Sequence, residues 1–123
     1  MSVSVSSPAA RAIAATLELL ADAGIAATRD AGAFYPQPVG TLVGLPTLSS
    51  RGLQSRTFTI PVYVVSGDPL NSELAVDRLY ALADDVALAL RTDAYRPSAW
   101  SSTVNAEPLP ALELIVTVTE TEV

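Results

Sequence analysis

From about Leu70 to Arg91 the apolar residues Ala75, Leu79, Leu82, Ala83, Val86 and Leu90 recur at the i, i+3, i+4 spacing of one helical face. A helix with one apolar stripe must bury it, and two alternating segments supply the cover. In Thr57–Val65 the side chains of Phe58, Ile60, Val62 and Val64 point one way, and those of Thr57, Thr59, Pro61 and Tyr63 the other. In Leu112–Thr119 the residues Leu112, Leu114, Val116 and Val118 alternate with Glu113, Thr117 and Thr119, as in a sheet with one covered face. A further helix is expected over about Pro8–Ala23. Ser7 and Pro8 suit its N-cap and first position, and Gly24 suits the left-handed residue that ends it. Its expected buried stripe is Ala10, Ile13, Leu17, Leu20 and Ala21, opposite Arg11, Glu18 and Asp22. Ala12 and Leu19 narrow the polar face, which implies cover on more than one side. The economical architecture is α+β: a small, mostly antiparallel sheet with two helices packed on one face.

The remaining segments read as connections and short strands. Residues 1–7, starting with alternating Ser and Val, form an extended N-terminal arm, and residues 8–123 a single α+β domain. Short strands are expected at Ile25–Asp30 and Val39–Leu45, with Pro46–Ser55 as a long polar loop. Pro61 lacks a ladder donor, so the strand holding it is expected at a sheet edge, or Pro61 at a bulge. Asp68 or Asn71 caps the Leu70–Arg91 helix, and Arg91 is a cation near its C-terminal dipole. A loop with Arg96-Pro97 and Trp100 leads to a strand near Ser101–Asn105. The expected order is α-β-β-β-α-(β)-β.

Composition closes off most chemistry. The 123 residues contain no Cys and no His, and all seven basic residues are Arg. Structural zinc, disulfides, thiol nucleophiles and imidazole acid–base catalysis are therefore absent. The many serines have no evident base. Gly40-Thr41-Leu42-Val43-Gly44 lacks the Gly-Lys-Ser/Thr ending of a phosphate loop. Asp84 and Asp85 diverge by about 100° on a helix and do not converge on one substrate atom. Asp77 and Asp84 share a face, but two ligands are far short of a hard-cation shell. The chain is thus expected to be no enzyme and to hold no cofactor or metal. Thirteen acids leave a net charge of −6, which disfavours a phosphate backbone as partner. The loop aromatics Phe34, Tyr35, Tyr95 and Trp100 are expected as satellite core residues, since a stacking platform needs a basic track. A secretory leader and a membrane span are not expected; the reading is a soluble protein that works without export.

Two candidate interaction surfaces remain. Leu74, Ala81 and Leu88, seven apart, line the side of their helix away from the core, with Asp77 and Asp84 on one flank and Arg78 and Asp85 on the other. Either a loop of the same chain covers this stripe, or it is a subunit contact, since apolar surface rimmed by charge marks interaction sites. Arg51 and Arg56 flank the long polar loop, either as solvated side chains or as docking groups for a neighbour's carboxylates. Pro61, on its expected edge strand, would belong to a second contact face.

Several segments together resemble the tail terminator proteins of long non-contractile-tailed phages, especially those of actinobacteria. They are Leu20-Ala21-Asp22-Ala23-Gly24-Ile25, Pro38–Pro46 (PVGTLVGLP), Ile60–Pro69 (IPVYVVSGDP), Val76–Val86 (VDRLYALADDV) and Leu109–Leu114 (LPALEL). The similarity runs over nearly the whole chain in pattern and order. It implies a small α+β fold that forms a homo-hexameric ring at the head-proximal end of the tail tube. Such a ring ends tube polymerisation and offers the surface that joins the head. The implied partners are the major tail tube protein and a head-closure or connector protein, with no membrane. Genomic DNA would pass an acidic lumen without specific binding. The implied location is the head–tail junction of the virion, with assembly in the host cytoplasm. Another neck component, such as a head-closure or connector adaptor protein, is the nearest alternative. A small ligand-binding or enzyme subunit is the alternative from a different class.

Overall fold

A computed structural model describes residues 7–34, 36, 38–67, 73–101 and 108–121 of the chain. Two helices lie on one face of a six-stranded, mostly antiparallel sheet, the small α+β fold that the patterning implies. Helix α1 is Pro8–Asp22 and α2 is Glu73–Leu90. The strands are β1 Ala27–Thr28, β2 Val39–Val43, β3 Thr47–Arg51, β4 Ser55–Ser66, β5 Tyr95–Trp100 and β6 Leu109–Thr121. The sheet order is β1-β2-β4-β6-β5, with β3 also paired to β4 and only β1–β2 parallel.

The long strands form where alternation is strongest. β4 and β6 pair from Ser55↔Thr121 to Val65↔Ala111, which puts Phe58, Ile60, Val62 and Val64 beside Val118, Val116, Leu114 and Leu112 on the helix side. Ile13 and Leu20 of α1, with Leu79, Ala83, Val86 and Leu90 of α2, complete that core. Fully burying one such side chain contributes about 1.5–3 kcal/mol, so this layer supplies most of the favourable burial. Among the described residues the opposite face is covered at one end, where Phe34, Leu42, Val65 and Ala111 cluster with Tyr63, Trp100 and Leu109. Phe34 meets Trp100 edge to face at 5.1 Å, so these two aromatics are satellite core residues as expected; Tyr35 lies outside the described residues.

Helix α1 begins and ends as its sequence dictates. The Ser7 hydroxyl accepts from the Ala10 N–H at 3.1 Å, and Pro8 occupies the first turn. At the other end Gly24 has φ +78°, its N–H donates to the Ala21 carbonyl, and the Ile25 N–H donates to the Leu20 carbonyl. That is the Schellman closure, with Ile25 packed against the core. The buried stripe differs from the expected one: Ala12, Ile13, Thr16 and Leu20 are buried, while Ala21 is exposed. Thr16 enters the core because its hydroxyl donates to the Ala12 carbonyl at 2.9 Å, which satisfies it within its own helix. Leu19 is exposed, so cover on a second side is not found there. Helix α2 closes in the same Schellman way with Arg91 in the left-handed position (φ 55°) and the Thr92 N–H donating to the Ala87 carbonyl.

Four strand expectations are corrected. Ile25–Asp30 shortens to the two residues of β1, because Asp30 caps the 3-10 turn Ala31–Ala33. The Pro46–Ser55 loop contains β3, which forms a hairpin with β4. The strand containing Pro61 is central, with neighbours on both sides, and Pro61 is no bulge in its pairing with β6. Pro97 and Trp100 lie in β5, one strand earlier than the Ser101–Asn105 expectation; residues 102–107 lie outside the described set, as do the arm residues 1–6 and the cap candidates Asp68 and Asn71. Pro97 is tolerated because β5 is an edge strand.

Gly67 ends β4 under a tight constraint. A side-chain carbon there would collide with the Pro36 carbonyl oxygen, while the Gly67 N–H donates to the Pro38 carbonyl at 2.8 Å. Gly67→Ala is expected to destabilise by about 1–3 kcal/mol through this overpacking. Gly24→Ala meets no atom within 4 Å, so it costs about 1 kcal/mol from backbone conformation alone. Urea denaturation of the two variants checks both the order and the size.

Candidate functional site

Among the described residues, five of the six exposed leucines lie at two places, Leu19 of α1 being the sixth. The first is the β3–β4 hairpin. Every residue of β3 is exposed, and its substantial contacts are all with β4. Leu45 is 84% exposed before it, Leu48 is exposed within it, and Leu53 is fully exposed in the turn that follows. The turn is closed by the Gly52 N–H donating to the Ser55 carbonyl at 2.8 Å. The register shifts between Leu48 and Ser50, and the Ser49 hydroxyl donates to the Thr57 carbonyl at 2.9 Å.

Arg51 and Arg56, read from the sequence as flanking a loop, are direct cross-strand neighbours in this hairpin. Like charges in that position repel. On its other side Arg56 pairs in register with Glu120, which also accepts from Arg11 Nε at 3.1 Å. Arg11, Arg51 and Arg56 all lie at this end of the sheet, and the charged side chains of the hairpin, Arg51 and Arg56, are both cationic on an acidic chain.

The second place is the outer side of α2. Leu74 is 57% and Leu88 79% exposed, and Ala81 between them is exposed as well. Among the described residues no loop of the chain covers the stripe. The helix carries Glu73, Asp77, Asp84 and Asp85 against Arg78, a surface of opposite sign to the hairpin. Leu88 and Asp85 also form the rim of an open groove of about 730 Å³ between α2 and the turn after α1. Ile25, Val39, Leu82 and Ala89 line the groove with mostly apolar surface.

Asp84 is held by a specific contact. The Tyr95 hydroxyl donates to its Oδ1 at 2.7 Å, and the Tyr95 ring meets Tyr80 at 5.8 Å. These contacts tie α2 to the β5 edge. Hydrogen bonding to the Asp84 carboxylate, with burial second, raises the Tyr95 pKa above its ordinary value of 10.0.

Pro61 stands apart from both surfaces. Its carbonyl accepts from the Gly44 N–H at 2.7 Å, so its nitrogen faces the same side, where β2 ends and β3 has not begun. The missing donor therefore costs the ladder little. Its ring lies opposite Ile115 on the helix-free face, half-buried, and not on a sheet edge. Beside it an ionic ladder crosses that face: Arg96 Nη2 meets Glu113 Oε1 at 2.6 Å, and Glu113 stands opposite Tyr63. Burial, and then the Glu113 charge, raise the Tyr63 pKa. Among the described residues no group of three or more carboxylates has metal-binding geometry. No helix there is long and apolar enough to cross a membrane.

The structure thus brings Arg51 and Arg56 together and aligns Leu74, Ala81 and Leu88, but keeps the two sets apart. Sequence reasoning missed Leu45, Leu48 and Leu53. The available signal was their recurrence in a segment with Ser/Thr-rich strand composition and a Gly52 turn. Compared with protein-family models, with curated proteins and with solved structures, the chain has no significant match to any of them.

Leu88→Glu is expected to leave folding stability within about 0.5 kcal/mol, as for an exposed site. Leu79→Ala, in the core between α2 and the sheet, should cost about 2–5 kcal/mol. Parallel urea denaturations separate the two. For Tyr95 the folded pKa lies above the unfolded one, so its contribution to stability is complete below the unfolded value. It is lost as pH rises through the folded value. Spectrophotometric titration of tyrosinate should find this group titrating at lower pH in Asp84→Asn than in the parent protein.

Proposed function

We propose that this protein is a structural component of a phage virion, a tail terminator that assembles as a hexameric ring on the head-proximal end of the tail tube. In this role it stops tube polymerisation and presents the surface that a head-closure or connector protein docks onto. The observation that carries the reading is the pair of unlike exposed surfaces, a leucine-bearing basic hairpin and a leucine-bearing acidic helix face. Unlike faces on one subunit make head-to-tail contacts, and a ring results when the rotation closes.

The segments that resemble tail terminators also support it, because they meet in space. The Leu20–Ile25 turn, β2, the second half of β4, α2 and the start of β6 gather at one end of the sheet, through the registers Val39↔Ser66 and Val65↔Ala111. A net charge of −6 per subunit suits a lumen through which DNA slides without sticking.

The test is to polymerise the major tail tube protein with and without this protein and to measure tube length by negative-stain imaging. Shortened tubes bearing a cap at one end are the expected result. Unchanged tubes, together with binding to a portal or adaptor ring, would move the protein to the connector position.

A further inference from the structure

We infer that the tip of the β3–β4 hairpin, led by Leu53, inserts into the groove beside α2 of a second copy of this chain. This rests on the assembly reading above and assigns the contact that would build it. The groove offers an apolar floor in Ile25, Val39 and Leu82, an apolar wall in Leu88, and a carboxylate at its rim in Asp85. The hairpin tip offers Leu53, fully exposed, with Arg51 two residues before it. The charges are complementary in place as well as in sign. The hairpin's charged side chains, Arg51 and Arg56, are both cationic and stand opposite each other, so a neighbour's carboxylate is attracted there. Asp85 sits on a helix with four carboxylates and one arginine.

Geometry makes the partner a second copy. The groove lies at the end of β2 that pairs with Val65 and Ser66, and the hairpin tip lies beyond Ser55 at the other end of β4. Twelve residues of extended strand separate these ends by on the order of 35 Å. A chain cannot fill its own groove with its own hairpin. Because donor and acceptor surfaces differ, each copy can both insert a tip and receive one; we take the contact to propagate head to tail, and a closed pair that exchanges tips would stop at a covalent dimer in the test below.

The parent chain contains no cysteine, so engineered thiols report this contact without background. Leu53→Cys, Leu88→Cys, the double variant, and a control carrying Leu53→Cys with Leu19→Cys would be oxidised mildly, alone and mixed with tail tube protein, then run on non-reducing gels. All three positions are exposed, and circular dichroism confirms that each variant is folded. The expected result is a ladder of covalent multimers from the Leu53→Cys/Leu88→Cys chain, and none above dimer from the single variants or the control. In sedimentation, Arg51→Glu and Asp85→Arg should each weaken self-association at least tenfold, and the two together should restore it. Capped tubes or oligomers without the Leu53–Leu88 cross-link would overturn this contact and leave the terminator reading standing. Monomers that neither cross-link nor cap tubes would overturn both.

Discussion

The antiparallel ladder between β4 and β6 sets the position of everything else. It runs from Ser55↔Thr121 to Val65↔Ala111 and presents two rows of apolar, mostly β-branched and leucine, side chains to one side. That side must be covered, and both helices bury their stripes on it. The other side alternates Thr57, Thr59 and Pro61 with their partners Thr119, Thr117 and Ile115, and can face water over half its length. β2 and β3 share the free flank of β4, one along each half, and Pro61 marks the junction. A residue that cannot donate sits where no neighbour needs a donor.

Sequence reading was strongest where period and burial coincide. α2, β4 and β6 carry their apolar residues at the periods their elements demand, so their faces were legible from spacing alone. It failed where polar residues do structural work or where a strand has no buried face. Thr16 is buried because a helix carbonyl satisfies it, which no hydropathy pattern reveals. β3 exposes all five residues and carries a register shift, so it shows no alternation and reads as a loop. Pro61 and Pro97 misled in opposite ways. The first suggested an edge for a central strand, and the second suggested a loop for a strand that is itself an edge.

The candidate surfaces divide along the same line. The stripe Leu74, Ala81, Leu88 was legible because a helix with two apolar sides stands out once the core side is assigned. The hairpin surface was not, because Leu45, Leu48 and Leu53 acquire a common location only after β3 folds back on β4. Arg51 and Arg56 changed meaning for the same reason. Five residues apart in the chain, they become a cross-strand pair with shared charge.

The asymmetry of charge follows from the fold as much as from composition. The chain is acidic overall, yet Arg11, Arg51 and Arg56 converge at one end of the sheet because α1 starts there and β4 begins there. Two acids of α2 lie toward the other end: Asp85 lines the groove with Val39 and Gly40, and Asp84 accepts from Tyr95, which stands opposite Leu114. A protomer built this way is polar along its long strands, positive at the hairpin and negative at the helix face. Two copies placed side by side in the same orientation repel at like ends, whereas copies offset so that hairpin meets helix attract. Charge therefore favours contacts that bring hairpin to helix, and exposed leucines at both poles give such contacts apolar area to bury. The two poles are held apart by strand length, and β4, the longest strand of the sheet after β6, is what holds them.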